Sequence, residues 1–252
     1  MNVDSRRILG TRIHATTYAV ATAQVLDWAL QGASRYVCLA TVSSVIAARD
    51  STHYAHVMEQ ADLATSDGMP LVWALRALGI PSATRVYGPD LMPLILEAAA
   101  LRNIPVALYG GSPEVLAQLQ EVLRRRFPAL DISYAEAPPF RPPTPEEDEQ
   151  TTNAIRASGA RVVLVGLGNT KQDIWMHAHR GRIPAVMLGV GAAFDFIAGA
   201  KPQAPRWMQR NGLEWAFRLA TEPRRLWRRY LKQNPRFAVL ALVQILRTRV
   251  TT

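Results

Sequence analysis

Cysteine is almost absent from this 252-residue chain, where Cys38 stands alone. A single thiol excludes an intramolecular disulfide and fits a reducing cytoplasm; its apolar setting, Tyr36–Val42, reads as that of a small buried hydrophobe. Long hydrophobic runs are missing as well. The longest near the end, Phe237 to Val243, reaches Leu246 only through Gln244. That is about half of the roughly 20 residues a spanning helix needs, so no bilayer crossing is expected. The opening residues carry Arg6 and Arg7 but no apolar stretch before a small-residue cleavage site, and no secretory signal is expected.

Several chemistries lack their motifs. H-E-x-x-H, a Cys–His cluster and D-x-D are all absent, so neither a metal nor a cofactor is expected. His177 and His179 are two apart and point to different helix faces, while His53 and His56 have only Asp50 and Glu59 nearby. All five histidines read as structural or surface residues. No G-x-S-x-G marks a nucleophile elbow. The turns at Gly166 and Gly189 fail to complete G-x-G-x-x-G at its third glycine, which argues against a dinucleotide-dependent oxidoreductase. RNP-like and zinc-finger signatures are missing, so nucleic acid is not the expected partner.

What is present begins with an uneven charge. Of 29 Lys and Arg, 12 lie from Lys201 onward, against only Glu214 and Glu222 there. The first 200 residues carry 17 bases and 18 acids, so the formal +9 belongs to the last fifth of the chain. Trp207, Trp215, Trp227 and Tyr230 are interleaved with these cations. Such a tail is either a basic solvated helix pair with its tryptophans in the core or an interfacial anchor on an anionic membrane. The adjoining apolar run favours a membrane over nucleic acid as the anionic partner.

Strand, turn and helix then alternate. Tyr36–Val42 leads through Ser43 and Ser44 to a helical stretch, Val45–Arg49. Ile104–Tyr109 leads to Gly110 and Gly111, where Ser112 can cap a helix opened by Pro113. Arg161–Val165 leads to Gly166–Thr170, and Ala185–Leu188 to Gly189–Ala193. Thr144, Pro145 and Glu147 form a capping box after the proline-rich Ala137–Thr144. Strands without polar alternation, separated by helices, imply an α/β fold: a Rossmann-like parallel sheet flanked by helices. Residues 1–199 are expected to form this core. Residues 200–252 form a basic helical appendage, with an amphipathic helix, a break at Glu222 and Pro223, and a basic aromatic helix from Arg224.

The turns at Gly110, Gly166 and Gly189 sit where free N–H groups favour phosphate, though tight turns without a ligand read the same way. Asp67, in an Asp-Gly turn, follows a β-like stretch; a strand-end carboxylate there can take a proton from an attacking hydroxyl. Arg85 can be solvated or can neutralise a leaving diphosphate. Lys171 and Gln172, after Gly168, are candidates for phosphate or sugar hydroxyls, or a solvated helix start.

Taken together, several segments resemble the WecG/TagA/CpsF family of bacterial glycosyltransferases, over about Val37 to Phe237. They are Ala61–Leu63 with Ser66–Gly68, Arg85–Leu91, Gly110–Gly111, Val165–Asp173, Gly189–Asp195, Ala204–Gln209, and Leu213–Trp215 with Arg218, Glu222–Arg225 and Arg228. The resemblance implies a metal-independent, inverting transfer of a hexose from a UDP-sugar to an undecaprenyl-diphosphate-linked sugar. It places the enzyme peripherally on the cytoplasmic face of the membrane, in cell-surface polysaccharide or teichoic acid synthesis. It makes Asp67 the general base with Thr41 in the same pocket, Arg85 and Gln172 supports of the sugar nucleotide, and Arg218, Arg225 and Arg228 cations that close over the diphosphate. With the glycine turns, the expected substrate-contacting set adds Ser43, Gly110, Gly111, Gly168, Lys171, Gly191 and Asp195. Two departures concern sugar identity: the family's T-x-N is here Thr41-Val42-Ser43, and its K-Q-E is Lys171-Gln172-Asp173. Donors like UDP-N-acetylmannosamine and UDP-glucose both stay open, as does a homo-oligomer. The rival readings are a nucleotide-binding oxidoreductase and a membrane-recruited binding protein in which Asp67 is only a turn.

Overall fold

The structure, a computed structural model, describes residues 3–250. The outermost residues of both expected units, 1–2 and 251–252, lie outside the described residues. The chain opens with β1 (Ser5–Ile8) and β2 (Thr11–His14), followed by α1 (Tyr18–Leu30), β3 (Arg35–Ala40), α2 (Val42–Asp50), α3 (Thr52–Glu59), β4 (Leu63–Ser66) and α4 (Met69–Ala77). The middle holds α5 (Gly88–Leu101), β5 (Val106–Gly110), α6 (Pro113–Arg126), β6 (Ile132–Glu136), α7 (Pro145–Ala157) and β7 (Val162–Gly166). Then come α8 (Asn169–His179), β8 (Val186–Gly189), α9 (Ala193–Ile197), α10 (Arg206–Arg210), α11 (Glu214–Thr221) and α12 (Pro223–Val250).

All eight strands form one sheet in the order β1-β2-β4-β3-β8-β7-β5-β6, parallel throughout except for the antiparallel β1–β2 edge. The α/β class expected from the apolar runs is the one observed. Alternation inside the buried strands divides the core. Tyr36, Cys38 and Ala40 of β3 join Val163 and Val165 on one face of the sheet; Val37 and Leu39 join Val162 and Leu164 on the other. β3 and β7 bury both faces, which is why their sequences show no polar alternation.

The caps read from sequence hold. Ser112 accepts from the Val115 N–H with Pro113 opening α6, and Thr144 and Glu147 form a reciprocal capping box on α7. One start differs: α2 begins at Val42, three residues before the expected stretch. There Thr41 and Ser44 cap each other, so the helix leaves β3 with no loop. That puts helix N–H groups directly at the central strand exit.

Beyond residue 199, where the sequence suggests an appendage, the chain stays on the α/β layers. Phe237 and Ala241 of α12 are buried in the core face that holds Tyr36 and Val163. Ser43 donates to Gln233 Oε1 at 2.8 Å, and Arg236 makes a bidentate pair with Asp50 at 2.6 Å. Gln244 brackets the β1–β2 turn, accepting from the Leu9 N–H at 2.8 Å and donating to the Arg7 carbonyl at 2.6 Å. No helix of the described residues is long and apolar enough to cross a membrane.

Candidate functional site

The central strands β4, β3, β8 and β7 end side by side, and their exits carry Asp67, Thr41, Gly191 and Gly168 in that order across the sheet. At about 4.8 Å per strand the row spans roughly 14 Å. Ligands of open parallel sheets bind along such a carboxyl edge.

Asp67 directly follows β4, and its N–H donates to the Ala40 carbonyl at 2.9 Å, which places it beside Thr41. Its side chain is 19% exposed, and Oδ1 has no hydrogen-bond partner among the described residues. Burial pushes its pKa up to about 7; Arg85 and Arg218 pull it down, whereas Glu214 and Asp90 raise it. A carboxylate in this state can hold or release a proton near neutrality.

Arg85 is committed to the protein on several sides. Its Nε donates to the Asp67 carbonyl oxygen, Nη2 donates to Glu214 Oε2 at 2.6 Å and lies 3.7 Å from Asp67 Oδ1. The guanidinium stacks 3.9 Å from the Tyr87 ring centre, and the Tyr87 hydroxyl donates to Glu214 Oε1 at 3.0 Å.

At the middle of the row, Thr41 is occupied in capping α2, and the Ser44 hydroxyl donates to Asn169 Oδ1 at 3.1 Å, joining the first turns of α2 and α8. Ser43 is tied to α12 through Gln233. Gln172 is 4% exposed and lies across Gly189 and Gly191, with Oε1 lacking a partner; a Cβ on Gly189 would sit 2.7 Å from its Nε2. Gly168 opens α8 at φ +84° with nothing within 4 Å of its missing Cβ, and Lys171 is exposed one turn on. Asp173 points away from this row. It is buried, accepts from the hydroxyl of Tyr54, and is pushed up to about 6 by burial. The Asp-for-Glu departure therefore acts on packing beneath the site.

Gly110 and Gly111 have a different setting. A Cβ on Gly110 would lie 2.5 Å from the Gly166 carbonyl carbon, and one on Gly166 would lie 2.7 Å from the Phe194 ring. Phe194, 1% exposed, fills the space between the β5 and β7 exits. Their glycines are accounted for by close strand contact and that ring. Asp195 pairs with Lys201 at 3.2 Å.

The tail arginines separate. Glu222 ends α11 at φ −129°, ψ 54°, and α12 starts afresh at Pro223, so Arg218 does not share a continuous helix with Arg225 and Arg228. Arg218 is half-buried near Asp67, 5.8 Å from the Phe196 ring, with its Nε unpartnered. Arg225 pairs with Glu222, and Arg228 lies over Trp227 at 5.2 Å; both are exposed. Trp207, Trp215 and Trp227 are 60%, 44% and 46% exposed, which rules out the reading that buries them in the core. A groove of about 530 Å³ lined by Tyr18, Asp90, Phe196, Gln203 and Arg206 lies near this region without including Asp67.

Sequence reasoning missed Glu214 and Tyr87. The signal for Glu214 was present: it is one of two acids among twelve tail cations, so its charge stands against that of its surroundings. Among the described residues no cluster of three or more His, Cys, Asp or Glu could hold a metal ion.

A family model described as Glycosyl transferase WecG/TagA/CpsF family matches residues 6–251. The match takes in the sheet, the row of strand exits and the helices α10 to α12 together. The chain therefore belongs to the WecG/TagA/CpsF family of glycosyltransferases.

Proposed function

We propose that the protein transfers a hexose from a UDP-sugar, with inversion and without a metal, to a sugar carried on undecaprenyl diphosphate. The acceptor sits at the inner face of the cytoplasmic membrane, and the product enters a cell-surface polysaccharide. The observation that carries this reading is Asp67: a proton-accepting carboxylate oxygen left unpartnered at the strand exit beside Thr41, with Arg218 nearby. In the reaction the acceptor hydroxyl oxygen bonds to the anomeric carbon from the face opposite UDP. The anomeric C–O bond breaks with its electron pair passing to the β-phosphate oxygen, and the hydroxyl proton goes to Asp67. The N-termini of α2 and α8 and the unpartnered Arg218 Nε supply positive potential for the departing diphosphate. The oxidoreductase alternative needs a complete G-x-G-x-x-G, which the turns at Gly166 and Gly189 do not supply.

Membrane docking is supported by one face of α12. Leu231, Val239, Leu242 and Leu246 are between 53% and 67% exposed, and Arg224, Arg225 and Arg228 precede them. The combination suits a headgroup zone.

A panel of UDP-sugars offered with short-chain lipid-diphosphate sugars in EDTA tests the chemistry. Transfer of one donor class with UDP release is expected; affinity for NAD and none for UDP would overturn the reading. For docking, Arg225→Glu with Arg228→Glu is expected to weaken co-sedimentation with anionic vesicles about 10- to 100-fold, since each base near an anionic leaflet contributes about 1 kcal/mol. Unchanged sedimentation would refute the membrane role of α12.

A further inference from the structure

We infer that Glu214 is a positioning residue of the base site: by claiming the Arg85 guanidinium, it keeps an oxygen of Asp67 free to receive the acceptor's proton. The inference rests on the proposed role of Asp67.

Two carboxylates compete for one arginine, and the distances show which has it. Arg85 Nη2 stands 2.6 Å from Glu214 Oε2 but 3.7 Å from Asp67 Oδ1. Glu214 is held from the other side by the Tyr87 hydroxyl at 3.0 Å, and the Tyr87 ring supports the guanidinium at 3.9 Å. Arg85 hydrogen-bonds Asp67 only at its backbone carbonyl; its guanidinium stays within ion-pair range of Oδ1 at 3.7 Å but makes no hydrogen bond to it. Glu214 and Arg85 are 13% and 15% exposed, so solvent screens this competition weakly. A guanidinium in direct contact would occupy a lone pair of Asp67 and stabilise its charged form, which makes a weaker base.

The charged and titratable groups facing Asp67 come from three segments: Arg85 and Tyr87 before α5, Asp90 in its first turn, and Glu214 and Arg218 on α11. Of these, Glu214 is the anion in contact with Arg85, and it arrives only with the C-terminal helices. It thereby couples the seating of α11 to the basicity of a residue on the sheet.

Glu214→Gln tests this, because the amide keeps an acceptor for Tyr87 and Arg85 while removing the charge. The acid limb of kcat/KM is expected to move down by about one pH unit, with plateau kcat lower by about 10-fold and KM for the UDP-sugar within about 3-fold. Glu214→Asp, which restores the charge, should return the limb toward its original position. If Glu214→Gln fails to fold, Tyr87→Phe releases one Glu214 oxygen and should move the limb in the same direction by less. A limb that stays in place while only thermal stability falls would make Glu214 a plain anchor and overturn the inference. Asp67→Asn, run in parallel, keeps the two proposals apart: wild-type turnover in that variant sinks the base assignment itself. An inactive Asp67→Asn beside an unmoved Glu214→Gln limb sinks only the role of Glu214.

Discussion

Asp67→Asn is expected to lower turnover by about 10²–10⁴-fold, the usual contribution of a positioned base, while UDP affinity stays within a few-fold. Asn fills the same volume and keeps the strand-end backbone contact to Ala40, so a loss on this scale would report the missing proton acceptor. Wild-type turnover in the variant would refute the assignment. The wild-type pH profile provides a second reading. Burial holds the group at about 7, so kcat/KM should fall tenfold per unit below that value and level off above it, and the limb should vanish in the variant. Stability runs the other way. The folded-state pKa lies above the unfolded value of 3.8, so the native state binds the extra proton between the two. This contribution is fully present below about pH 4 and is lost as pH rises through about 7. Asp67→Asn should therefore raise stability at pH 8 by on the order of 2 kcal/mol, reduced from the full shift by partial exposure, and leave it unchanged near pH 3.5. Equal unfolding midpoints for the two proteins at pH 8 would show that the carboxylate is not strained by its setting.

Gly110→Ala should cost more than about 3 kcal/mol or prevent folding outright. The new methyl would meet the Gly166 backbone at 2.5–2.8 Å in the paired strand, and the residue adopts φ +127°, which side chains rarely take. No flexible neighbour can move aside, because the obstacle is the main chain of the hydrogen-bonded strand β7. Gly159→Ala is the control: its φ is +73° and its Cβ would meet nothing within 4 Å, so about 1 kcal/mol of backbone strain is expected. Urea midpoints decide between them. A Gly110→Ala protein as stable as wild type but deficient in UDP binding would return that glycine to the ligand site and remove it from packing.

Local chemistry made much of the fold legible. Ser112 with Pro113 and Thr144 with Glu147 announced two helices because a cap needs only residues three positions apart. The buried strands were readable because both faces of β3 and β7 are covered, which leaves an unbroken apolar run. The β1–β2 edge was not, since Ser5–Ile8 and Thr11–His14 are short and mostly polar, and their pairing depends on Leu9 and Gly10 at φ +49° and +92°. In the site, Asp67 was visible as a strand-end acid. The partnership of Arg85 with Glu214 was not, because 129 residues separate them. Phe194 hid for the same reason: a glycine that seats a phosphate and one that makes room for a ring look alike in sequence, and only the third dimension says which is filled.

The clasp of Gln244 on Arg7 and Leu9 has a consequence for biosynthesis. Ribosomes deliver the amino-terminal hairpin first, yet its hydrogen-bonding mate is translated 235 positions later. Nascent sheet must therefore wait, one hydrophobic flank not yet covered by Phe237 and Ala241, until those residues have emerged. A chain released before residue 214 would expose that flank and lack both Glu214 and the Gln244 clasp, leaving a sticky product for quality-control proteases.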